Sequence, residues 1–376
     1  MVAQRAGYRC SVPDCRRLTI GPGRGADEVV DIGVAGHIYS ASPGGPRGTG
    51  GLSFEDRRSA ENAIWLCADH GRLVDANDGG QYPDSLLRSW KGLHESFTAM
   101  ELGGHPRPFG WIESLTFTDA PAKLAGRQFF FGPRNIIVGH NGSGKTVLTK
   151  TIAGIGKPHY LAHHSRDRLL SGSVRWHDPV PHELSFRARD GCVQHELDGR
   201  GVPYVAKPYR TVLLSDPGSL WRARGVSDLA RLLEVDVTMM TNILGELPRY
   251  PGSAVSAVSI KKDNVRVRMK YDPDERRSFG DLFTAVRVRL VLEAATMLAE
   301  IQSEVEPTLL VFDGFLENLD TPHLGAMYSF LADARPFQVV VATVWPPPSS
   351  VRPRWLVTAF PPDERELASC AKPHLA

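Results

Sequence analysis

An excess of charge of either sign is missing: 44 Lys and Arg face 42 Asp and Glu, for a formal net charge of +2. No domain is a polybasic wrapper, so any contact with nucleic acid has to come from local patches. Long apolar runs are missing too. No stretch approaches the roughly 18 residues of a spanning helix, and the start, MVAQRAGYRC, has no apolar core of signal-peptide length. A cytoplasmic protein without a membrane segment is the expectation. Cysteine is sparse, with five in 376 residues, and in that compartment clustered thiols argue for metal ligation over disulfides. Cys192 and Cys370 stand alone and read as small buried or surface thiols. No internal repeat is visible. What remains is ordinary globular composition, 42% hydrophobic and 23% charged, enough for large cores and, by length, about two domains.

Apolar spacing and breakers divide the chain. PDSLLRSWKGLHESFTAM carries Leu86, Leu87, Trp90, Leu93 and Phe97 close to helical period and reads as a helix. It runs into ELGGHPRPFG, whose glycines and prolines mark a linker. The expected layout is an N-terminal unit over 1–102, a linker over 103–110, a second unit over 111–360 and a tail over 361–376. The Pro-rich stretch after Trp345 reads as loosely attached. The second unit alternates strand-like FFFGPRNIIVG, a helix after Gly144, a hairpin around VSAVSIKKDNVRVRMKY, a long helix DLFTAVRVRLVLEAATMLAEIQSE, and strands TLLVFD and FQVVVAT. Such alternation predicts an α/β fold whose sheet is covered on both faces.

Cys10-x4-Cys15 and Cys67-x2-His70 make two ligand pairs roughly fifty residues apart. A structural zinc ion takes four nitrogen or sulfur ligands in a tetrahedron, and short-spaced pairs on two turns supply them. A small unit rich in Gly and Pro also gains from such a staple. RAGYRCSVPDCRRLT, AGHIYSASPGGPR, ENAIWLCADHGRLVDAND and YPDSLLRSWK, in that order over residues 1–97, resemble an HNH endonuclease domain of the zinc-stapled ββα type. The nearest variety is the one attached to ATPases in bacterial anti-phage defence proteins. The resemblance implies His37 as general base toward the attacking water and Asn62 as holder of the loop that carries it. It also implies a Mg2+ or Mn2+ ion that neutralises the scissile phosphate. Cys67 and His70 then close the structural zinc site. Two positions depart from the family pattern: Gly36 stands where many such sites have an Asp, and Gly71 where the last His follows the zinc pair. Both usual ligands of the catalytic ion are missing. Asp75, four residues after Gly71 and on the same helical face, is the candidate replacement, with a solvated or capping carboxylate as the alternative.

Gly139, His140, Asn141, Gly142, Ser143, Gly144, Lys145 and Thr146 follow apolar NIIV and precede helical VLTKTIAG. This is a phosphate-binding loop (P-loop) in its strand–loop–helix context. Its glycines let backbone N–H groups wrap phosphates at a helix N-terminus, Lys145 reaches the terminal phosphates, and Thr146 takes Mg2+. TLLVFD ends in Asp313, placed to hold the Mg2+ shell. With LLVFDGFLENLD, the loop resembles ABC-type ATPases, particularly the chromosome-maintenance-like and defence-nuclease branch, over roughly Trp111 to Val344. The resemblance implies that SFGDL, with Ser278 and Gly280 kept and Asp281 where Glu is usual, closes on ATP held by a partner subunit in a head-to-tail dimer. Two departures stand beside it: Gly314 replaces the Glu that polarises water, and Thr343 and Val344 lie where the switch His is usual. Glu317 falls in the ENLD loop that crosses the dimer and reads as structural. Firm ATP binding with slow or absent hydrolysis is expected.

Arg266, Arg268 and Lys270 fall on one face of a strand, where they either meet phosphates or guard an edge as solvated charges. His159, His163 and His164 have no ligand partners at suitable spacing and read as surface residues. The combined expectation is an ATP-regulated HNH endonuclease that cuts DNA in bacterial defence, with a further defence-system subunit as a candidate partner. The alternative is an ATP-clamped DNA-binding or sensing protein whose HNH-like zinc module is catalytically degenerate, which the missing ligands at Gly36 and Gly71 favour.

Overall fold

In the computed structural model, β1 (Ile20–Pro22) and β2 (Val29–Asp31) form a small antiparallel ribbon. β3 (Gly33–His37) then pairs antiparallel with β4 (Ala63–Cys67), setting His37 opposite Ala63 and Gly36 opposite Ile64. β4 is buried at every position, which is why so short an apolar run holds as a strand. The Trp65 ring crosses Gly33, where a Cβ would lie 2.0 Å from it, so no larger residue fits there. Helix Ala68–Asp75 follows β4 without a break and completes a ββα arrangement. Helix Asp84–Leu102 buries Leu87, Trp90, Leu93 and Phe97, as their spacing predicts. Its Lys91 is buried, and Nζ donates to the carbonyls of Ala60 and, at 2.8 Å, Ala63.

The structure describes residues 1–13, 15–25, 27–102, 110–121, 123–177, 181–333, 335–348 and 354–360. The expected tail over 361–376, and all of the expected linker except Gly110, lie outside them. The chain divides into two units, Met1–Arg107 and Pro108–Ala376.

The second unit is built on two large sheets. It opens with β5 (Ile112–Asp119), β6 (Gln128–Phe130) and β7 (Arg134–Val138), and continues with β8 (Leu170–His177), β9 (Pro181–Arg189), β10 (Cys192–Leu197) and β11 (Arg200–Val202). All of these but β7 form an antiparallel sheet of order β11-β10-β9-β8-β5-β6. β12 (Arg210–Leu214) comes next, followed by β13 (Val255–Lys261), β14 (Asn264–Met269) and β15 (Asp272–Ser278), which make a separate three-stranded antiparallel sheet. β16 (Thr308–Asp313), β17 (Gln338–Thr343) and β18 (Leu356–Ala359) complete a parallel sheet of order β12-β16-β17-β7-β18.

β16 and β17 are buried at all positions, as parallel strands covered on both faces must be. Alternate residues divide between two cores. Leu310, Phe312, Val339 and Val341 join the core that includes Val288, Val291 and Leu298 of the long helix Thr284–Ser303. Leu309, Val311, Val340 and Ala342 join the other, with Leu148 and Ile152 of helix Lys145–Gly154. Gln338 links the two sheets: its side chain accepts from Ile112 N at 3.1 Å and donates to the Ile112 and Gly132 carbonyls at 2.8 and 2.9 Å.

Two expectations need correction. Within the stretch after Trp345, Leu356–Phe360 is not loose, because β18 pairs with β7 and Phe360 is buried, its N–H donating to Val138 O at 2.7 Å. The hairpin at 255–269 gains a third strand, β15, which ends at Ser278.

Candidate functional site

β7 leads directly into the glycine-rich loop. Gly142 and Gly144 adopt positive φ of +77° and +106°, where only glycine sits without strain, and helix Lys145–Gly154 starts immediately after. The first amides of a helix have no intrahelical acceptor and face the cleft. That cleft, about 640 Å3, is lined by Asn141, Gly142, Lys145, Thr146, Asp313 and Glu317 among others. β17 separates β7 from β16, yet Asp313 at the end of β16 reaches the loop: Thr149 Oγ1 donates to its Oδ2 at 3.0 Å, and the Thr146 hydroxyl also bonds it. Burial pushes the Asp313 carboxyl up, and the bonds from Thr146 and Thr149 oppose this.

Lys145 lies back across its own loop, donating to Gly139 O at 2.6 Å and His140 O at 3.0 Å. Burial lowers its pKa, against the nearby charges of Glu317 and Asp313. Ser143 Oγ is buried without a hydrogen-bond partner among the described residues. An orphaned hydroxyl, a poised lysine and a Thr–Asp pair fit a triphosphate with Mg2+. Thr146 and Asp313 would hold the ion, and Lys145 and the loop amides the phosphates. Ser278 and Gly280 are not among the residues lining this cleft. Ser278 closes β15, and Gly280 lies in the 3-10 turn Phe279–Asp281 before the long helix, its carbonyl accepting from Arg287.

In the N-terminal unit, Cys10, Cys15, Cys67 and His70 come together, with one ligand atom from each and all four atoms within 4.8 Å of one another. Cys67 ends β4 and His70 sits in the first turn of the following helix, with Cys67 Sγ 3.2 Å and Cys10 Sγ 3.7 Å from His70 Nδ1. A tetrahedral zinc site has S···S and S···N edges of about 3.5–3.8 Å. The donor set fits zinc in chemistry, and its Cys10–His70 edge lies within this range. Burial, aided by Cys15 and Cys67, raises the Cys10 thiol, although backbone bonds oppose it. As thiolates, three sulfurs this close would be stabilised by a bound cation. Ser11 N–H donates to Trp65 O at 2.9 Å, tying the first ligand loop to β4.

His37 ends β3 with its side chain exposed. The loop after it is held by Asn62, which is 1% exposed. Asn62 Oδ1 accepts from Tyr39 N at 2.9 Å, and Nδ2 donates to Tyr39 O at 2.8 Å and Arg57 O at 3.0 Å. Asp75 is differently engaged from the expected metal ligand: its Oδ1 accepts from Arg47 Nη2 at 2.6 Å. The Arg47 side chain is only 6% exposed and also donates to Ile38 O at 2.6 Å, Val74 O at 2.6 Å and His37 O at 2.9 Å. A guanidinium in contact with Asp75 opposes a second cation there. Gly36 and Gly71 supply no ligand, and among the described residues the Cys3His cluster is the one group of three or more suited to a metal. Asp75 is thus already engaged by a cation, which weighs against its holding a divalent ion beside His37.

Exposed Arg266 and half-buried Arg268 share one face of β14, alternating with buried Val265, Val267 and Met269. Arg266 is flanked by Ser259 of β13 and Ser278 of β15. Lys270 follows the strand and is exposed. His164 is half-buried rather than on the open surface, and burial lowers its pKa to about 4.

These elements define an α/β fold of the P-loop nucleotide-binding class in the second unit, and a zinc-suited ββα arrangement in the first. No protein-family model and no curated protein matches the chain. Among solved structures, the chain is similar to an Smc head bound to the C-terminal winged-helix domain of ScpA, at 12% identity over 65% of this chain and 91% of that one, TM-score 0.46. It is also similar to the SMC head domain from Thermotoga maritima, at 14% identity over 66% and 94%, TM-score 0.43. ATP-bound RecF, a recombination mediator, gives 12% identity over 64% and 94%, TM-score 0.41. At these scores the likeness is weak, and the loop geometry stands without it. No described helix is long and apolar enough to cross a membrane.

Proposed function

We propose an ATP-regulated protein that acts on DNA through its zinc-stapled ββα unit. The observation that carries the ATP half is the meeting of Thr146 and Asp313 beside Lys145 at one glycine loop. Ser278 and Gly280 stand outside that cleft, which is compatible with the loop of one copy closing on nucleotide held by another, as the resemblance implies. The expected ATP-bound state is a head-to-tail dimer. DNA as the target is supported by the resemblance of the N-terminal unit and by the arginine face of β14. Sizing the protein with and without ATP, together with nucleotide titration, tests the first half. Lys145→Ala should lose both ATP binding and ATP-dependent dimer formation; tight binding by that variant would sink the reading.

At the ββα unit, holding DNA is better supported than cutting it, because Arg47 engages Asp75 and Gly36 and Gly71 offer nothing. Cleavage is the second reading, favoured by the exposed His37 on a loop fixed by Asn62. There His37 would take a proton from the attacking water. Plasmid DNA incubated with Mg2+ or Mn2+ and ATP separates the two. Under the first reading, wild type and His37→Ala both retard DNA and neither nicks it. Nicking that disappears in His37→Ala at unchanged zinc content would establish the second.

A further inference from the structure

The turn after β16 is built for glycine. Gly314 has φ +74°, and its N–H donates to Ala342 O at 3.2 Å. A glutamate at this position would need the left-handed backbone that L side chains rarely adopt. The cleft nevertheless contains a second carboxylate besides Asp313. Glu317, in the 3-10 turn Leu316–Asn318, lines it beside Lys145 and Thr146 and is exposed to it. One edge of that carboxylate is fixed: Val344 N–H, directly after β17, donates to Glu317 Oε1 at 2.9 Å. Oε2 has no hydrogen-bond partner among the described residues. Glu317 also opposes the effect of burial on Lys145 more strongly than Asp313 does.

We propose that Glu317 is a catalytic residue for ATP hydrolysis, its free oxygen holding and deprotonating the attacking water from the 3-10 turn in place of a side chain at Gly314. This rests on the reading that the loop binds ATP. The water oxygen bonds to the γ-phosphorus as the bond from that phosphorus to the β–γ bridging oxygen breaks. The water proton passes to Glu317 and on to the released phosphate, so ATP and water become ADP and phosphate. Anchoring through Oε1 keeps the carboxylate in place while Oε2 does the chemistry. Hydrolysis is then present, and it ends the ATP-held dimer.

The test uses the full chain with Glu317→Gln, Glu317→Ala and Lys145→Ala. Three quantities are measured: affinity for a fluorescent ATP analogue, phosphate release in a single turnover, and the lifetime of the ATP-dependent dimer once free nucleotide is removed. Glu317→Gln keeps an acceptor for Val344 N–H and loses basicity. It should bind the analogue like wild type, release phosphate roughly 100-fold more slowly or worse, and hold the dimer correspondingly longer. Wild-type phosphate release in Glu317→Gln overturns the proposal. So does equal loss of analogue binding in Glu317→Gln and Glu317→Ala, which would make Glu317 purely structural. Failure of the wild type itself to bind, matching Lys145→Ala, is a different result and removes the ATP reading underneath.

Discussion

Cys67→Ala should unfold the N-terminal unit while the P-loop unit stays folded, and the wild type should purify with close to one zinc per chain. The four donors come from two places, the loop carrying Cys10 and Cys15 and the junction of β4 with its helix. A cation joining them closes the unit on itself. Structural zinc is worth an apparent 10–16 kcal/mol, roughly, in small metal-folded peptides. The whole net stability of a domain is about 5–15 kcal/mol. Losing the ion would therefore remove an energy comparable to the unit's whole net stability. Limited proteolysis with metal analysis reads this directly. In Cys67→Ala, cuts should spread through residues 1–102 while the fragment beginning near residue 110 resists. Full loss of metal with an unchanged cleavage pattern would show that the unit folds without the staple.

How much of this is legible in the sequence depends on how local the cause is. TLLVFD and FQVVVAT announce themselves because a strand covered on both faces must be apolar throughout. NVRVRM is legible because one face is buried and the other wet, so polarity alternates. CVQHEL and RGV are not, since β10 and β11 carry too few apolar side chains to stand out from loop. β18 is hidden among prolines and becomes a strand only through β7, Leu356 pairing with Asn135 far back in the chain. The site divides along the same line. The glycine loop is contiguous and carries its own signal. Asp313 is marked by the apolar run before it. Glu317 becomes a cleft residue only because the N–H of Val344 turns it there. Nothing near GGPR marks Arg47 as the partner of Asp75, a residue 28 positions away.

Arg47→Ala should loosen the His37 loop and destabilise the N-terminal unit by about 3 kcal/mol. The ion pair itself is the smaller part, because the Asp75 side chain is 43% exposed and re-solvates when its partner leaves. The larger part comes from the carbonyls of His37, Ile38 and Val74, which lose a charged donor; each such bond contributes about 1.5–3 kcal/mol, and their losses overlap. At roughly 4–8 °C per kcal/mol for a domain of this size, the thermal midpoint of the unit should fall by well over 10 °C. Arg47→Lys should recover little, since one ammonium cannot span four acceptors held in a planar fork. Asp75→Asn keeps an acceptor for Nη2 and should cost less than about 1 kcal/mol. Hydrogen exchange locates the effect: Ile38 N–H bonds Asn62 O at 2.9 Å and Tyr39 N–H bonds Asn62 Oδ1 at 2.9 Å. Both should exchange faster in Arg47→Ala, with zinc still bound. The opposite ranking would return Asp75 to the role of a metal ligand: full stability in Arg47→Ala, together with an Asp75→Asn protein that needs more Mg2+ or Mn2+ to nick DNA.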